Sequence, residues 1–346
     1  MPLLVRTLID GDSMEYLLKN ENGIVLFLVL WVLTLLSVIV GEFCHAMRTE
    51  VNITRNFKEE TQAYYIAMAG VNRAVAELIR NEAMSQKTRY PDTEEEEKEK
   101  EEEEEEIKWR VNADIPAIHF GDGQFEVKIG NESGKIDINK ADDYLLRMML
   151  KGFDLEDSDK DMIVDSILDW RDKNNLHRLN GAEDDYYRSL PEPYECKDDD
   201  FDCIEELMLV RGMTAEIFYG GLRDMVTVYP VGFNKININT ASSLVLRSFP
   251  QITDDMIRDI IEYRTKDDFR SLNELIPIVG SDVYKAIVTH ITLKTSPYFT
   301  IKSVGTIEGG QTRQGVQAMV EINKKFKKGY RLIQWVDRLE HQSREV

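Results

Sequence analysis

Acidic and amide side chains are concentrated in one stretch of the chain, residues 169–186, which reads DWRDKNNLHRLNGAEDDY. Calcium prefers six to eight oxygen ligands, and a flexible loop of this composition can supply them. The D-x-D-x-D-G pattern of an EF-hand is absent, so another geometry is needed. A solvated acidic loop is the alternative. The candidate ligands are Asp169, Asp172, Asn174, Glu183 and Asp184. The alternative role of Asp169 is to support the other ligands without binding the ion.

A second acidic cluster lies beside two cysteines, Cys196 and Cys203. In an exported protein this pair predicts a disulfide, and the enclosed carboxylates could hold another cation or be simply solvated. The cysteine spacing does not indicate zinc, since no CxxC or HxxxH pattern accompanies it. His177 is a lone histidine beside hard oxygen ligands, which favours a structural role. The candidate ligands here are Glu195, Asp198 and Asp200.

Catalysis is not predicted. The five histidines are scattered, and neither a G-x-S-x-G motif nor a P-loop is present. We therefore assign no catalytic residue.

An internal repeat must position both acidic clusters. The run KIDINKA at residues 135–141 recurs 100 positions later as KININTA at residues 235–241, and each copy leads into an apolar helix. Two related helical hairpins follow, with Asn139 and Asn239 as predicted helix N-caps. Helix-hairpin-helix modules can grip DNA, so a DNA-binding membrane protein of a pilus or DNA-uptake system is the alternative function. Residues 135–294 carry 20 basic and 32 acidic groups, which opposes phosphate binding and favours no nucleic-acid partner.

Strand-like alternation flanks this helical region on both sides. The segments WRVNADIPAIHF and GQFEVKIGNESGKIDI precede it, and YFTIKSVGTIEGGQTRQGVQAMVEINKKF with GYRLIQWVDRL follows it. Their turn residues predict an antiparallel sheet. The sequence therefore predicts an α+β fold in which a large helical domain is inserted between strands of one sheet.

The N-terminal part contains an uncharged apolar run from Ile24 to Val40, IVLFLVLWVLTLLSVIV. Its 17 residues reach the lower limit for a membrane-spanning helix; a core helix or a signal-peptide core is the alternative. Beyond it, apolar residues recur at spacings of three and four. One long helix from Ile24 to about Ala83 is predicted.

The net charge of −20 is unevenly distributed. Residues 92–106 contain twelve acidic groups and two lysines, and such a run resists burial and predicts a disordered loop. The predicted organisation is a leader at 1–23, a transmembrane segment at 24–40, the rest of the long helix at 41–86, an acidic loop at 87–108, a first sheet part at 109–134, an inserted helical domain at 135–294, a second sheet part at 295–339 and a tail at 340–346.

Several of these motifs together resemble the K-type minor pseudopilins of type II secretion (GspK). The motifs are GIVLFLVLWVL from Gly23, AMAGVNRA from Ala67, DWRD from Asp169 with GAEDDYY from Gly181, and ELMLVRGMT from Glu206. The likeness covers about residues 20–335. It implies a pilin-like fold, with a long membrane-held helix packed on an antiparallel sheet and a helical domain inserted between strands.

The resemblance also implies a structural role at the tip of the pseudopilus, where the subunit would initiate or cap assembly. The implied partners are the I- and J-type minor pseudopilins, other pseudopilins, the inner-membrane assembly platform and the prepilin peptidase, which would cut between Gly23 and Ile24. Leu28 replaces the glutamate of most pseudopilins, as is usual in K-type subunits. The implied location is the inner membrane, with a single pass and a periplasmic globular domain, and the implied cofactor is calcium in the inserted domain.

Overall fold

The computed structural model describes residues 21–87, 107–230, 232–309 and 312–337. The predicted acidic loop lies almost wholly outside these residues, as do most of the leader and the tail. Helix α1 runs unbroken over Glu21–Lys87. The chain divides into two compact units, residues 1–61 and 62–346, and the boundary falls within α1.

The part of α1 before Thr61 carries the apolar run, and its large side chains from Ile24 to Val40 are all exposed. This helix is long and apolar enough to cross a membrane, by length and composition. From Ala63 onward, side chains at helical spacing are buried, including Ala67, Val71 and Ala74.

These buried helix residues pack on a five-stranded antiparallel sheet within the second unit. Its order is β1-β2-β7-β8-β9. The strands are β1 (Ile118–Phe120), β2 (Gly123–Asn131), β7 (Tyr298–Ile307), β8 (Arg313–Ile322) and β9 (Tyr330–Asp337). Residues 107–117 form no strand, so the strand expected across WRVNADIPAIHF is confined to its last three residues.

Glycines allow α1 to approach the sheet closely. A Cβ on Gly305 of β7 would overlap the Ala63 carbonyl oxygen and lie 2.6 Å from the Ala67 nitrogen. A Cβ on Gly70 of α1 would lie 2.9 Å from the Phe125 ring. Both distances are too short for any side chain, so the helix–sheet spacing depends on these glycines.

The chain leaves the sheet after β2 and returns to it in β7, its direct neighbour. The intervening region has its own hydrophobic core. Its strands form two parallel pairs, β3 (Ile136–Asp137) with β4 (Val226–Thr227), and β5 (Ile236–Asn237) with β6 (Ile291–Thr292). Its α-helices are α2 (Asp143–Leu150), α3 (Asp157–Arg171), α4 (Asp184–Tyr187), α5 (Ala215–Ile217), α6 (Arg223–Met225), α7 (Ser243–Ser248), α8 (Asp254–Lys266) and α9 (Ile276–Ile287). Short 3-10 helices cover Glu132–Gly134, Ile204–Leu209 and Leu272–Leu275, and a π-helix covers Phe218–Leu222.

The repeat is structural as well as sequential, but Asn139 and Asn239 are not helix caps. Asp142 and Ser242 cap α2 and α7 instead. The Asn239 side chain accepts a hydrogen bond from the Phe269 N–H at 2.9 Å and donates one to the Phe269 carbonyl at 3.0 Å. Asn139 makes the same two bonds to Phe201, at 2.7 and 3.0 Å.

Each asparagine therefore connects the start of its hairpin unit to the backbone of a phenylalanine distant in sequence. The two units also share a backbone feature nearer their ends, since Gly212 and Gly280 have positive φ angles of 83° and 79°. A capping box precedes each glycine, formed by Cys203 with Glu206 and by Ser271 with Glu274. The predicted pair of related hairpins is thus present.

Candidate cation site in the inserted region

The two hairpin units differ most in one connecting segment. In the first unit this segment joins α3 to Phe201, and in the second unit it joins α8 to Phe269. In the second unit, Tyr263 at the end of α8 stacks on Phe269, with ring centroids 4.3 Å apart. In the first, Trp170 at the end of α3 stacks on Phe201 at 6.3 Å. The link between these rings is much longer in the first unit, and it contains both acidic clusters. The candidate site is therefore an insertion into one copy of a repeated hairpin.

Three side chains of this insertion converge on one point. A carboxylate oxygen of Glu183, the Cys196 sulfur and a carboxylate oxygen of Asp198 all lie within 4.8 Å of one another. Glu183 and Cys196 are buried. Metal ions are held in proteins by such sets of carboxylate and thiolate ligands.

Local backbone structure brings these groups together. Glu183 immediately precedes α4, whose first residue, Asp184, accepts a hydrogen bond from the Cys196 N–H at 2.9 Å. This bond fixes the returning chain beside Glu183. Two residues later Asp198 adopts a positive φ of 53°, a conformation that aspartate tolerates better than most residues.

Three carboxylate oxygens of the cluster accept no hydrogen bond within the described part of the chain. These oxygens are both carboxylate oxygens of Glu183 and the buried Oδ1 of Asp198. Glu183 is only 2% exposed. Unpaired carboxylate oxygens in a buried position are costly, and a bound cation would satisfy them.

A second pair of carboxylates, Asp169 and Asp172, adjoins the cluster. Asp169 is fully buried at the end of α3. The Arg178 guanidinium donates to Asp169 at 2.5 Å and to Asp172 at 2.7 Å. Because a Cβ on Gly181 would overlap the Asp169 carboxylate, only glycine fits there. These two aspartates already have a cationic partner, unlike Glu183.

The pKa shifts follow from this arrangement. Burial raises the pKa of Glu183 to about 7, and the negative charges of Asp169, Asp198 and Asp172 act in the same direction. Burial also raises the pKa of Asp198 and of the Cys196 thiol. Asp169 is shifted upward as well, since burial raises its pKa more than Arg178 lowers it. The site thus disfavours negative charge when no cation balances it.

The remaining predicted ligands lie outside this convergence. Asn174 is exposed and bonds to Asp172. Asp184 and Glu195 both pair with Arg188, and Asp200 pairs with Lys140. His177 is exposed. Of the eight predicted metal residues, the structure joins Glu183 and Asp198 directly, with Asp169 and Asp172 beside them.

Cys196 and Cys203 are both free, and they differ in environment: Cys196 is buried and Cys203 is exposed. The disulfide expected between them is not formed in this structure. Cys203 serves in a capping box at the position that Ser271 fills in the second unit. Cys196 is not among the ligands predicted from sequence, although its C-x-D spacing to Asp198 is the signal that both could face one site.

A pH dependence of stability follows from Glu183. Its pKa is higher in the folded state, about 7, than in the unfolded chain, about 4.3. Folding therefore takes up a proton, so this contribution is fully present below the unfolded pKa and is lost as pH rises through 7. In chelator, Glu183→Gln should gain up to about 3 kcal/mol relative to the wild type between pH 5 and pH 8.

Urea unfolding of the full chain in detergent, at several pH values with chelator, measures this effect. The exposed Glu192→Gln variant is the control and should follow the wild type. A constant difference between wild type and Glu183→Gln across this range would contradict the prediction.

Comparison with known proteins identifies similar sequences over this region. Residues 128–231 match the family model "Type II secretion system (T2SS), protein K", and residues 231–291 match the helix-hairpin-helix motif. The second match corresponds to the second hairpin unit. The first covers the unit that contains the candidate site.

Several characterised relatives are called type II secretion system protein K. The protein of Pectobacterium carotovorum is 36% identical over 96 residues, which cover 28% of this chain and 29% of that protein. The Aeromonas hydrophila protein is 25% identical over 64% of this chain and 68% of its own length. That of Pseudomonas aeruginosa is 22% identical over 74% and 76% respectively.

The fold is similar to that of a chain in the crystal structure of the GspK-GspI-GspJ complex from enterotoxigenic Escherichia coli. The TM-score is 0.55 with 17% sequence identity, covering 83% of this chain and all of that one. This comparison shows a similar fold over most of the chain.

Proposed function

We propose that the chain, which matches the family model of type II secretion system protein K over residues 128–231 and is similar to proteins of that name along most of its length, is a minor pseudopilin at the tip of the periplasmic pseudopilus. In this role it forms or caps the tip with the I- and J-type minor pseudopilins and helps to initiate assembly. Its other partners are further pseudopilins and the inner-membrane assembly platform. The role is structural, with no catalytic residue.

One observation carries this proposal: a complete second core, residues 135–294, is inserted between neighbouring strands of a pilin-like helix-and-sheet body. A pilin-like subunit packs through its long helix, and an added domain of this size can hinder addition of another subunit. The similarity in fold to a chain of a GspK-GspI-GspJ complex supports the choice of partners.

Co-purification tests the partnership. The full chain in detergent should retain the I- and J-type proteins. Tyr65→Glu, on the exposed face of α1 where Tyr65 is 56% exposed, should weaken retention. Lys173→Glu in the inserted region is the control. A chain that retains neither partner would overturn the proposal.

Membrane insertion and processing complete the proposed pathway. The exposed apolar run of α1 fits a membrane anchor. We propose a single pass through the inner membrane with the globular part in the periplasm, after prepilin peptidase cuts between Gly23 and Ile24. Sequencing of the mature N-terminus should begin at Ile24, and Gly23→Leu should leave the leader attached.

We also propose that the inserted region binds a divalent cation that stabilises its fold. Calcium is the ion implied by the family resemblance, and the unpaired oxygens of Glu183 and Asp198 suit a cation. A cation bound at 100 times its dissociation constant would stabilise the fold by about 2.7 kcal/mol. Its contribution is charge compensation, which allows acidic side chains to remain buried.

Thermal unfolding with and without calcium measures this contribution. The wild type and Glu192→Gln should both gain stability with calcium, whereas Glu183→Gln and Asp198→Asn should lose most of the gain. Identical melting curves in calcium and in chelator would exclude the calcium site.

DNA binding is not favoured, although the second unit matches a helix-hairpin-helix motif. Such a hairpin binds phosphate through backbone amides near a glycine turn. Here an acidic residue, Asp282, follows Gly280 by two residues, where phosphate binding favours a basic one. The acidic charge of the region acts in the same direction.

A further inference from the structure

The convergent cluster contains a sulfur ligand, which sets it apart from an all-oxygen calcium site. Calcium takes carboxylate, carbonyl and water oxygens, while thiolates select softer ions such as zinc. The absence of CxxC and HxxxH patterns excludes only zinc sites built from cysteine and histidine alone. In the folded chain, the donors that accompany Cys196 are carboxylates, which zinc also accepts.

Cys196 belongs to the hydrophobic core of the inserted region and also faces two acidic side chains. Its sulfur lies within 4.8 Å of the donor oxygens of both Glu183 and Asp198. The thiol packs in the hydrophobic core and donates a hydrogen bond to the Asp169 carbonyl oxygen at 3.9 Å, while its sulfur also faces the two carboxylates. A cation at the centre would make all three groups mutually compatible.

An independent observation also indicates a ligand. Glu183 is 2% exposed and both its oxygens lack hydrogen-bond partners in the described part of the chain. Native structures rarely leave such groups unpaired. The neighbouring carboxylates differ, because Asp169 and Asp172 are bound by Arg178.

The number of ligand atoms in the cluster further distinguishes calcium from zinc. The cluster offers one oxygen of Asp198, the two oxygens of Glu183 and one sulfur. Calcium would need several waters to reach six ligands. Zinc is usually four-coordinate, so one carboxylate oxygen from each acid, the thiolate and a single water complete its shell.

We propose that Glu183, Cys196 and Asp198 form a thiolate-containing site that binds zinc in preference to calcium. This inference rests on the proposed cation site and concerns which ion that site selects. On binding, the Cys196 S–H bond breaks, its proton passes to solvent, and the thiolate donates its electron pair to the metal. No oxidation or reduction is involved.

Cobalt(II) is the probe for the thiolate, because a cobalt–thiolate bond produces an intense near-ultraviolet charge-transfer band that oxygen ligands do not produce. The full chain, in detergent with a non-thiol reductant, is titrated with cobalt and then with zinc or calcium. Cys196→Ser removes the sulfur and keeps a small polar side chain. Cys203→Ser is the matched control, since Cys203 lies in a capping box outside the cluster.

The wild type and Cys203→Ser should both show the charge-transfer band, one equivalent of zinc should abolish it, and calcium in large excess should leave it in place. Cys196→Ser should lack the band and bind zinc at least about tenfold more weakly. Melting curves of the variants in chelator establish that each remains folded.

Two results would overturn the inference, and they have different meanings. If cobalt binds without a charge-transfer band and calcium displaces it, the selected ion is calcium and the proposed calcium site stands. If none of the three metals binds, this inference and the cation site fail together, while the pseudopilin assignment is unaffected.

Discussion

Replacing Gly305 by valine is expected to separate α1 from the sheet and to destabilise the pilin-like body by at least about 3 kcal/mol. The reason is steric. A Cβ at Gly305 would overlap the Ala63 carbonyl oxygen and crowd the Ala67 nitrogen, and these backbone atoms of a continuous helix cannot move aside singly. Urea unfolding of the full chain in detergent, followed by tryptophan fluorescence, measures the loss.

Gly130→Val is the matched control, since Gly130 lies in β2 of the same sheet. A Cβ there would meet the Thr300 carbonyl oxygen at 3.6 Å, which is an ordinary contact. We expect a change below about 1 kcal/mol. Equal losses in the two variants would show that general glycine replacement in the sheet, and not the approach of α1, determines the effect.

The helix–sheet architecture could be predicted from sequence because it depends on local periodicity. Buried residues of α1 recur at helical spacing, and β2 alternates inward and outward along most of its length. The close approach at Gly305 could not be predicted in this way. It depends on where two elements far apart in sequence meet, and an isolated glycine in a strand is equally compatible with a bulge or a turn.

The candidate site shows the same limit at the level of single side chains. Composition identified the acidic stretches, but the path of the loop decides which carboxylates meet. Asp200 forms an ion pair with Lys140, and Asp172 forms one with Arg178. Both oxygens of Glu183 and Oδ1 of Asp198 accept no hydrogen bond from the described residues. Proximity in sequence predicts a disulfide between the two cysteines, yet Cys203 takes part in a capping box and Cys196 faces the acidic side chains.

Asn139 and Asn239 differ from their predicted role as helix caps for a related reason. An asparagine shortly before a helix is a common N-cap, and both copies of the repeat satisfy that pattern. In the structure the caps come three residues later, at Asp142 and Ser242. Asn139 and Asn239 instead bond to residues 62 and 30 positions away, a separation that no local rule includes.

The largest stability effect in the inserted region is expected from Asn239→Ala. Asn239 is buried and makes two hydrogen bonds to the Phe269 backbone. Its removal leaves a buried N–H and a buried carbonyl unpaired, which costs about 2–4 kcal/mol. Unfolding in chelator, monitored by circular dichroism, checks the value.

The equivalent substitution in the first unit, Asn139→Ala, separates fold stability from cation binding. Asn139 holds Phe201, three residues beyond Asp198, so its loss should also loosen the end of the loop that carries this ligand. We expect Asn139→Ala to weaken cation binding by about tenfold, whereas Asn239→Ala should leave the affinity unchanged. If both variants bind equally well, Asn139 acts only on the fold, and the cation cluster is positioned from the Asp184 side of the loop.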